Sequence, residues 1–526
     1  MPQPITLKRV QMENGKISRR RILQTGLGAG AGLALWEMYR NGWGGSPDKG
    51  IESLLAFNDV GLDERRLVAL LETALEKNGN YADVFLEYSV SNYLIFEGDR
   101  LQSSGVEVIS GGGIRVMGEG HTAFCATEDL SWEALTKAAR DAAAASRRGS
   151  GAKVAALKLL EGASLYSVAT PAAIQPAREK QDYVLKAVEA AQKADPHVQM
   201  VRTVYRDALR FITVATSDGV IGRDSQPSIR INLAVIAGDP ESAKTGLGVF
   251  SGGGHYGLEY LEQNPPEILG QRAAEMARRQ LEGVDPPSSE LPVVLGPAYS
   301  GVLFHEAIGH GLEADFNIKG YSAYANRVGE MVASPLCTIY DDGGRPNLNG
   351  SINFDDEGIA PSSTLLIDRG RLAGYLHSRE TASKMGVRPT GNGRRQSFNF
   401  PVLPRMTNTY LQGGDASPDD IVRSVKFGVY ARFFSGGSVN TTTGDFNFIP
   451  LEAFLIESGR ITAPLSNVML IGNGPEILKR VSMVGNDMQI SDNLWECGKL
   501  GQMVPVTVGT PTIKVDSMIV GGIREG

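Results

Sequence analysis

The sequence predicts a strand-rich α+β protein, with helix and strand-meander domains first and then a mainly antiparallel β domain that carries a metal-binding helix. Three observations predict it. The 526 residues include 63 glycines, about 12% of the chain against an average near 7%, which favours turns and strands over a helical bundle. Apolar and polar residues alternate over long stretches, the period of half-buried strands. Helical periodicity is confined to a few segments bounded by caps and glycines.

The bulk numbers set limits on function. A composition of 42% apolar and 21% charged residues is that of an ordinary soluble globular protein long enough for two or three domains. The net charge is −7, and the only lysine and arginine cluster is at the extreme N-terminus. Such a surface repels phosphate backbones, so nucleic acid is excluded as a partner.

Residues 1–50 are a signal and a connector. The stretch KISRRRILQTGLGAGAGLALWEMY runs from basic residues into about 15 uncharged, mostly apolar ones, which is signal-peptide architecture. Ser18-Arg19-Arg20-Arg21-Ile22-Leu23 within it resembles the twin-arginine consensus. The apolar run is shorter than the roughly 20 residues a membrane-spanning helix needs, and Gly26, Gly28, Gly30 and Gly32 interrupt it. The expectation is export by the twin-arginine route to the periplasm or the outer face of the membrane. No A-x-A cleavage site is visible, so an uncleaved N-terminal anchor stays open.

Residues 51–150 form an N-terminal α/β domain. LDERRLVALLETALEKNG is an amphipathic helix capped by Asp63 and stopped near Gly79. The stretch from Ala82 to Gly120 alternates apolar and polar residues, with turn signals at Gly98 and Gly111 to Gly113, which predicts a meander of several strands. SWEALTKAARDAAAASRRG closes the unit as a helix. Residues 151–285 form a central α/β segment, with helices at PAREKQDYVLKAVEAAQKAD and PEILGQRAAEMARRQLEG around strands through FITVATSDGVIGRDSQPSIRINLAVIAG. The proline and serine of VDPPSSELP mark a linker. Residues 290–526 form the C-terminal domain: a strand, a helix at GVLFHEAIGHGLEAD, then short strands with frequent glycine turns.

FHEAIGHGLEADFN carries the chemistry. Zinc peptidases commonly present H-E-x-x-H, with histidines at i and i+4 on one helical face, whereas His305 and His310 are five apart. On an ideal helix, five residues turn through about 500°, a net separation of roughly 140°. The two imidazoles converge only if the helix takes a π-type turn or unwinds at Gly309 or Gly311. Glu306, next to the first histidine, is placed to take a proton from a metal-activated water. A catalytic zinc commonly has three protein ligands, and the third has to come from elsewhere: Glu313, Asp315, His377 and Cys497 are the options. The alternative is two ordinary buried histidines. Cys125, Cys337 and Cys497 have no paired spacing, so no disulfide framework is written here.

HEAIGHGLEADFN also resembles the H-E-x-x-x-H motif on the TldD side of the TldD/PmbA (TldE) metallopeptidases. The resemblance continues through LHSRETASKMGVRPTGNGRRQSFNFPVLPRMTNTY, SGGSVNTTTGDFNF, LIGNGPEILKRVSMVGND and CGKLGQMVPVTVGTPTIKVD. With YADVFLEYSVSNYLIFEGDRLQSS it covers essentially everything after the export signal. It implies Zn2+ held by His305, His310 and Cys497, with Glu306 as general base. It implies cleavage of unfolded or short, sometimes modified, peptides bound as an added strand. The partner it implies is a PmbA/TldE-like subunit lacking the histidine motif, in a heterodimer, with a homodimer as the other form. Two departures stand out. Members of the family are cytoplasmic, whereas this chain carries an export signal, and NLWEC places Trp495 where small residues usually approach the cysteine. A non-catalytic peptide-binding or assembly subunit with a structural metal is the alternative function.

Overall fold

The computed structural model describes residues 62–522, apart from 147–148, 167, 169–170, 240 and 242–243. The export signal, with Arg19 and Arg20, lies outside the described residues. Among the described residues no helix is long and apolar enough to cross a membrane.

The architecture is the strand-rich α+β fold the sequence predicts. Helix α1 (Glu64–Ala74) is capped by Asp63, whose side chain accepts from the amide of Arg66. Strands β1 (Tyr81–Glu97) and β2 (Arg100–Met117) then form one long antiparallel hairpin, followed by β3 (Thr122–Thr127) and helix α2 (Trp132–Ala145). The expected meander of several strands is therefore a single hairpin. Gly98 makes its turn, but Gly111 to Gly113 sit within β2, opposite Phe85 to Glu87. They are close-approach positions rather than turn residues: a Cβ on Gly111 would lie 2.3 Å from the ring of Phe398.

The same sheet continues after helix α3 (Ala177–Ala194). Strands β4 (Val198–Thr216), β5 (Val220–Gly238) and β6 (Thr245–Gly254) follow in antiparallel order, and β4 pairs with β1 from Asp83 to Glu97. Helix α4 (Pro266–Leu281) closes this half. All four helices cover one face of the sheet. Leu67, Leu71, Leu135 and Ala139 pack on Val84, Leu86 and Tyr88, while Val184, Ala187, Ala273 and Ala277 pack on Tyr205, Ile231 and Leu233. The other face is also buried, since Phe85, Ile212 and Val214 meet Phe354 and Phe398 of the C-terminal half. Burial on both faces covers the polar Asp83, Glu87 and Ser89 of β1's alternating sequence as fully as its apolar residues.

The C-terminal half contains two sheets. In the first, β8 (Ile339–Asp342), β9 (Ser363–Asp368), β10 (Asn408–Leu411) and the hairpin β14 (Trp495–Lys499) and β15 (Gln502–Thr510) are the main strands. In the second, β7 (Ser289–Leu295), β11 (Phe427–Val439), β12 (Asp445–Glu457), β13 (Val468–Asn473) and β16 (Ile513–Gly522) pair so that β11 and β12 close the sheet on itself. Pairing is mostly antiparallel, with β7–β11 and β10–β15 parallel. β11 and β12, at 13 residues each, are longer than the short strands the sequence suggests. The chain passes between the two sheets at Pro511, and the segment from Val302 to Leu312 runs through their shared core.

Candidate metal centre

The segment that carries the motif is a helix of changing pitch. Ala298 enters it at φ +64°, a strained value for a residue with a side chain. A 3-10 turn (Tyr299–Gly301) and one α turn (Val302–Phe304) lead into a π-helix over His305–Gly309, then a second 3-10 turn over His310–Leu312. The amide of His310 donates to the carbonyl of His305, the i to i+5 bond that the spacing requires. The two rings consequently meet edge-on, with centroids 5.1 Å apart at 83°.

Packing explains why the turn is wide here. Val302, Leu303, Phe304, Ala307, Ile308 and Leu312 are all buried, which anchors the segment from several sides. Met406 lies against Gly309 so closely that a Cβ there would be 1.8 Å from its sulfur. Tyr324 donates its hydroxyl to the carbonyl of Ala307 at 2.9 Å. Beyond the π turn, the carbonyl of Gly311 accepts from Asn317 at 2.8 Å and Ser322 at 2.6 Å. Carbonyls that an ordinary helix would satisfy internally are thus met by side chains.

Cys497 arrives from the other end of the chain. It sits on β14, opposite Val504 of β15, across a turn made by Leu500 and Gly501. Its Sγ is 3.3 Å from Nε2 of His310. One ligand atom each from His305, His310 and Cys497 lie within 4.8 Å of one another, and all three residues are buried. Glu313, Asp315 and His377 do not join this cluster. Glu313 stands behind His310, with Oε2 3.0 Å from Nδ1. Asp315 pairs with Lys499 at 2.7 Å. His377 packs edge-on to Tyr375 at 6.3 Å. Trp495 packs against the C-terminal core and leaves the thiol within reach of the imidazoles. All three cysteines are free.

The donor set fits a zinc ion. A tetrahedral centre with Zn–S near 2.3 Å and Zn–N near 2.0 Å holds sulfur and nitrogen roughly 3.5 Å apart, close to the observed 3.3 Å. The charges fit as well. Burial would raise the Cys497 thiol, but the imidazoles of His310 and His305 hold it well below the usual thiol range. Burial would lower His310, yet Cys497 and Glu313 raise it well above an ordinary histidine. Glu313, fully buried, is pushed up by desolvation but held at about 2 by Lys499, His310 and Arg405. Burial raises the carboxyl of Glu306, with His305 and His310 pulling the other way.

Two further residues belong to the site and carried no sequence signal. Lys499 lies 3.1 Å from Oε2 of Glu313 and donates to the carbonyl of Pro404 at 3.0 Å. Arg405 donates to the backbone carbonyl of Cys497 and approaches Oε1 of Glu313 to 3.7 Å. Glu313 itself was visible as an acid three residues after His310, a spacing that brings two side chains together on a helix.

Comparison with known proteins gives a consistent result. Three family models match in series: PmbA/TldA metallopeptidase domain 1 over residues 82–146, the central domain over 171–281, and the C-terminal domain over 288–522. The chain is 36% identical over 482 residues to the metalloprotease TldD homolog of Buchnera aphidicola subsp. Acyrthosiphon pisum, covering 90% of this chain and 98% of that one. It is 35% identical over 469 residues to the metalloprotease TldD homolog of Haemophilus influenzae, covering 88% and 97%. Its fold is similar to that of TldE from Thermococcus kodakarensis, with a TM-score of 0.69 and 18% identity over 87% of this chain and all of the other.

Proposed function

This chain belongs to the PmbA/TldA metallopeptidase family, and from that premise we propose that it is a zinc peptidase of the H-E-x-x-x-H type acting on unfolded or short peptides. The observation that carries the reading is the convergence of His305, His310 and Cys497. A zinc ion held by these three residues supplies Lewis acidity, polarising a peptide carbonyl and making a water more acidic.

Glu306 is the general base. It takes the proton of the attacking water and returns it to the leaving amide nitrogen, so that water is consumed and the peptide bond breaks into acid and amine. Burial raises the carboxyl of Glu306 above its usual range, the direction that suits a group which first accepts a proton and then donates it. Glu313 accepts from Nδ1–H of His310, which leaves Nε2 free to face the thiol and the metal.

The chain is the metal-holding member of a dimer with a PmbA/TldE-like subunit, or with a second copy of itself. It is exported by the twin-arginine route. The test of activity is zinc content together with cleavage of an unfolded peptide pool, with and without chelator, for the chain alone and with a PmbA-like partner. The expected outcome is about one zinc per chain and chelator-sensitive cleavage that disappears in Glu306→Ala. A chain without zinc, or cleavage that survives that substitution, overturns the reading. Replacing Arg19 and Arg20 with lysine and locating the protein tests the export route, which an unchanged location refutes.

A further inference from the structure

The element that bears Cys497 is joined to the element that bears His310 by two buried cations. Arg405 has one end on the β14–β15 hairpin, where it donates to the carbonyls of Cys497 and, at 3.4 Å, of Gln502. Its Nε faces Oε1 of Glu313 at 3.7 Å. Lys499, two residues after Cys497 on the same strand, lies 3.1 Å from Oε2 of Glu313 and 2.7 Å from Oδ1 of Asp315. That same Oε2 meets Nδ1 of His310. The Arg405 and Glu313 side chains are fully buried and that of Lys499 nearly so. Two positive and two negative side chains therefore balance one another almost out of water.

Buried ion clusters are a poor means of gaining stability, because desolvation consumes most of the attraction and apolar residues of the same volume often serve as well. What distinguishes this cluster is where its ends are attached. Its bonds tie the thiol's hairpin to the carboxylates beside the imidazole and to the segment that carries Arg405, where Lys499 donates to the carbonyl of Pro404 and Arg405 donates back to that of Cys497.

We propose that Arg405 and Lys499 are positioning residues, a two-point clasp that fixes the distance between Sγ of Cys497 and Nε2 of His310 and holds Glu313 against Nδ1. This rests on the reading that His305, His310 and Cys497 hold zinc. Arg405 sets the height of the hairpin through two main-chain carbonyls, and Lys499 sets its tilt through Glu313 and Asp315. A lysine at 405 is a point charge without the planar fork of arginine, and cannot reach both carbonyls and the carboxylate together.

The experiment compares the wild-type full chain with Arg405→Met, Arg405→Lys and Lys499→Met, each first checked for a native circular dichroism spectrum. Zinc affinity is measured by competition with a chromophoric chelator, and cobalt(II) replaces zinc to report coordination through the thiolate charge-transfer and d–d bands. Each folded variant is expected to bind zinc about 10- to 100-fold more weakly, the usual effect of losing an outer support of a ligand. A reduced or shifted thiolate band should accompany the loss, and Arg405→Lys should not restore it. Should Arg405→Met fail to fold, Arg405→Lys and Lys499→Met still decide. Variants that match the wild type in zinc affinity and cobalt spectrum overturn the clasp while leaving the metal site standing. A wild-type chain that takes up neither ion overturns the metal site, and the clasp with it.

Discussion

Sγ of Cys497 lies 3.3 Å from Nε2 of His310 although 187 residues separate them in the chain. The contact is between a thiol that the imidazoles hold well below the usual thiol range and a ring whose far nitrogen is already committed to Glu313, so the pair is poised for an ion to enter between them. Cys497→Ser removes the thiolate and leaves a hydroxyl that does not ionise at neutral pH. The expected outcome is a loss of zinc affinity larger than the 10- to 100-fold seen for outer supports, with peptide cleavage falling in parallel and the fold retained. Metal analysis after dialysis, with circular dichroism alongside, checks it. Full zinc occupancy in this variant would show that the sulfur is not a ligand.

Gly309 decides whether the helix can widen. A Cβ at this position would sit 1.8 Å from the sulfur of Met406, so one of the two must move. Gly309→Ala is expected to destabilise the protein by about 1–3 kcal/mol, the usual cost of overpacking a filled core. It is also expected to weaken zinc binding, because the displaced turn carries both histidines. Chemical denaturation of the single variants and of Gly309→Ala with Met406→Ala tests the cause. If the clash is the cause, the double variant costs less than the sum of the two, and strict additivity would point elsewhere.

Different parts of this arrangement were legible in the sequence for different reasons. The π turn is one of the two distortions the spacing allows, since two histidines five apart share an ion only if the helix widens or unwinds at Gly309 or Gly311, and the amide of His310 takes the i to i+5 step. Cys497 had no local signature and was singled out by resemblance alone. Arg405 and Lys499 were silent because their partners are set by the register of β14 against β15 and by the fold of the loop before β10, neither of which is written within a short window. The long hairpin of β1 and β2 departs from the expected meander for a related reason. Gly111 to Gly113 look like a turn, but side chains are missing there because Phe398, 285 or more residues away, crowds Gly111 and Gly113 on one face while Leu135 and Leu86 crowd Gly112 on the other.

His377 makes stability depend on pH. Burial lowers its pKa from 6.5 to about 4, and only 5% of the residue is exposed. Well above pH 6.5 it is neutral whether the chain is folded or not, and contributes no pH dependence. As pH falls from 6.5 to 4, the unfolded chain takes up a proton that the folded chain refuses, so stability declines. The full loss across that window is about 3 kcal/mol at 1.36 kcal/mol per unit. Other groups titrate in the same range, so the measurement is the difference in unfolding free energy between the wild type and His377→Phe at pH 7 and pH 4.5. The wild type should lose more over this interval, and equal losses would refute the assignment.

Arg115 is the centre of the polar contact between the two halves of the molecule. It bonds to Asp83 on the neighbouring strand and lies 2.6 Å from Oε1 of Glu357 in the C-terminal half. Arg395, also from the C-terminal half, reaches the other oxygen of Asp83 at 3.5 Å. The Asp83 and Glu357 side chains are fully buried and that of Arg115 is 2% exposed. Removing one member of a buried ion pair leaves its partner charged and without solvent, which costs about 3–5 kcal/mol. Arg115→Met should therefore destabilise the protein by that amount, and adding Glu357→Gln should recover part of it by removing the charge left without a cation, since Asp83 keeps Arg395. Thermal and chemical unfolding of the two single variants and the double variant measures the coupling. A loss below about 1 kcal/mol for Arg115→Met would mean that the apolar contacts of Phe85, Phe354 and Phe398 hold the halves together without help from these charges.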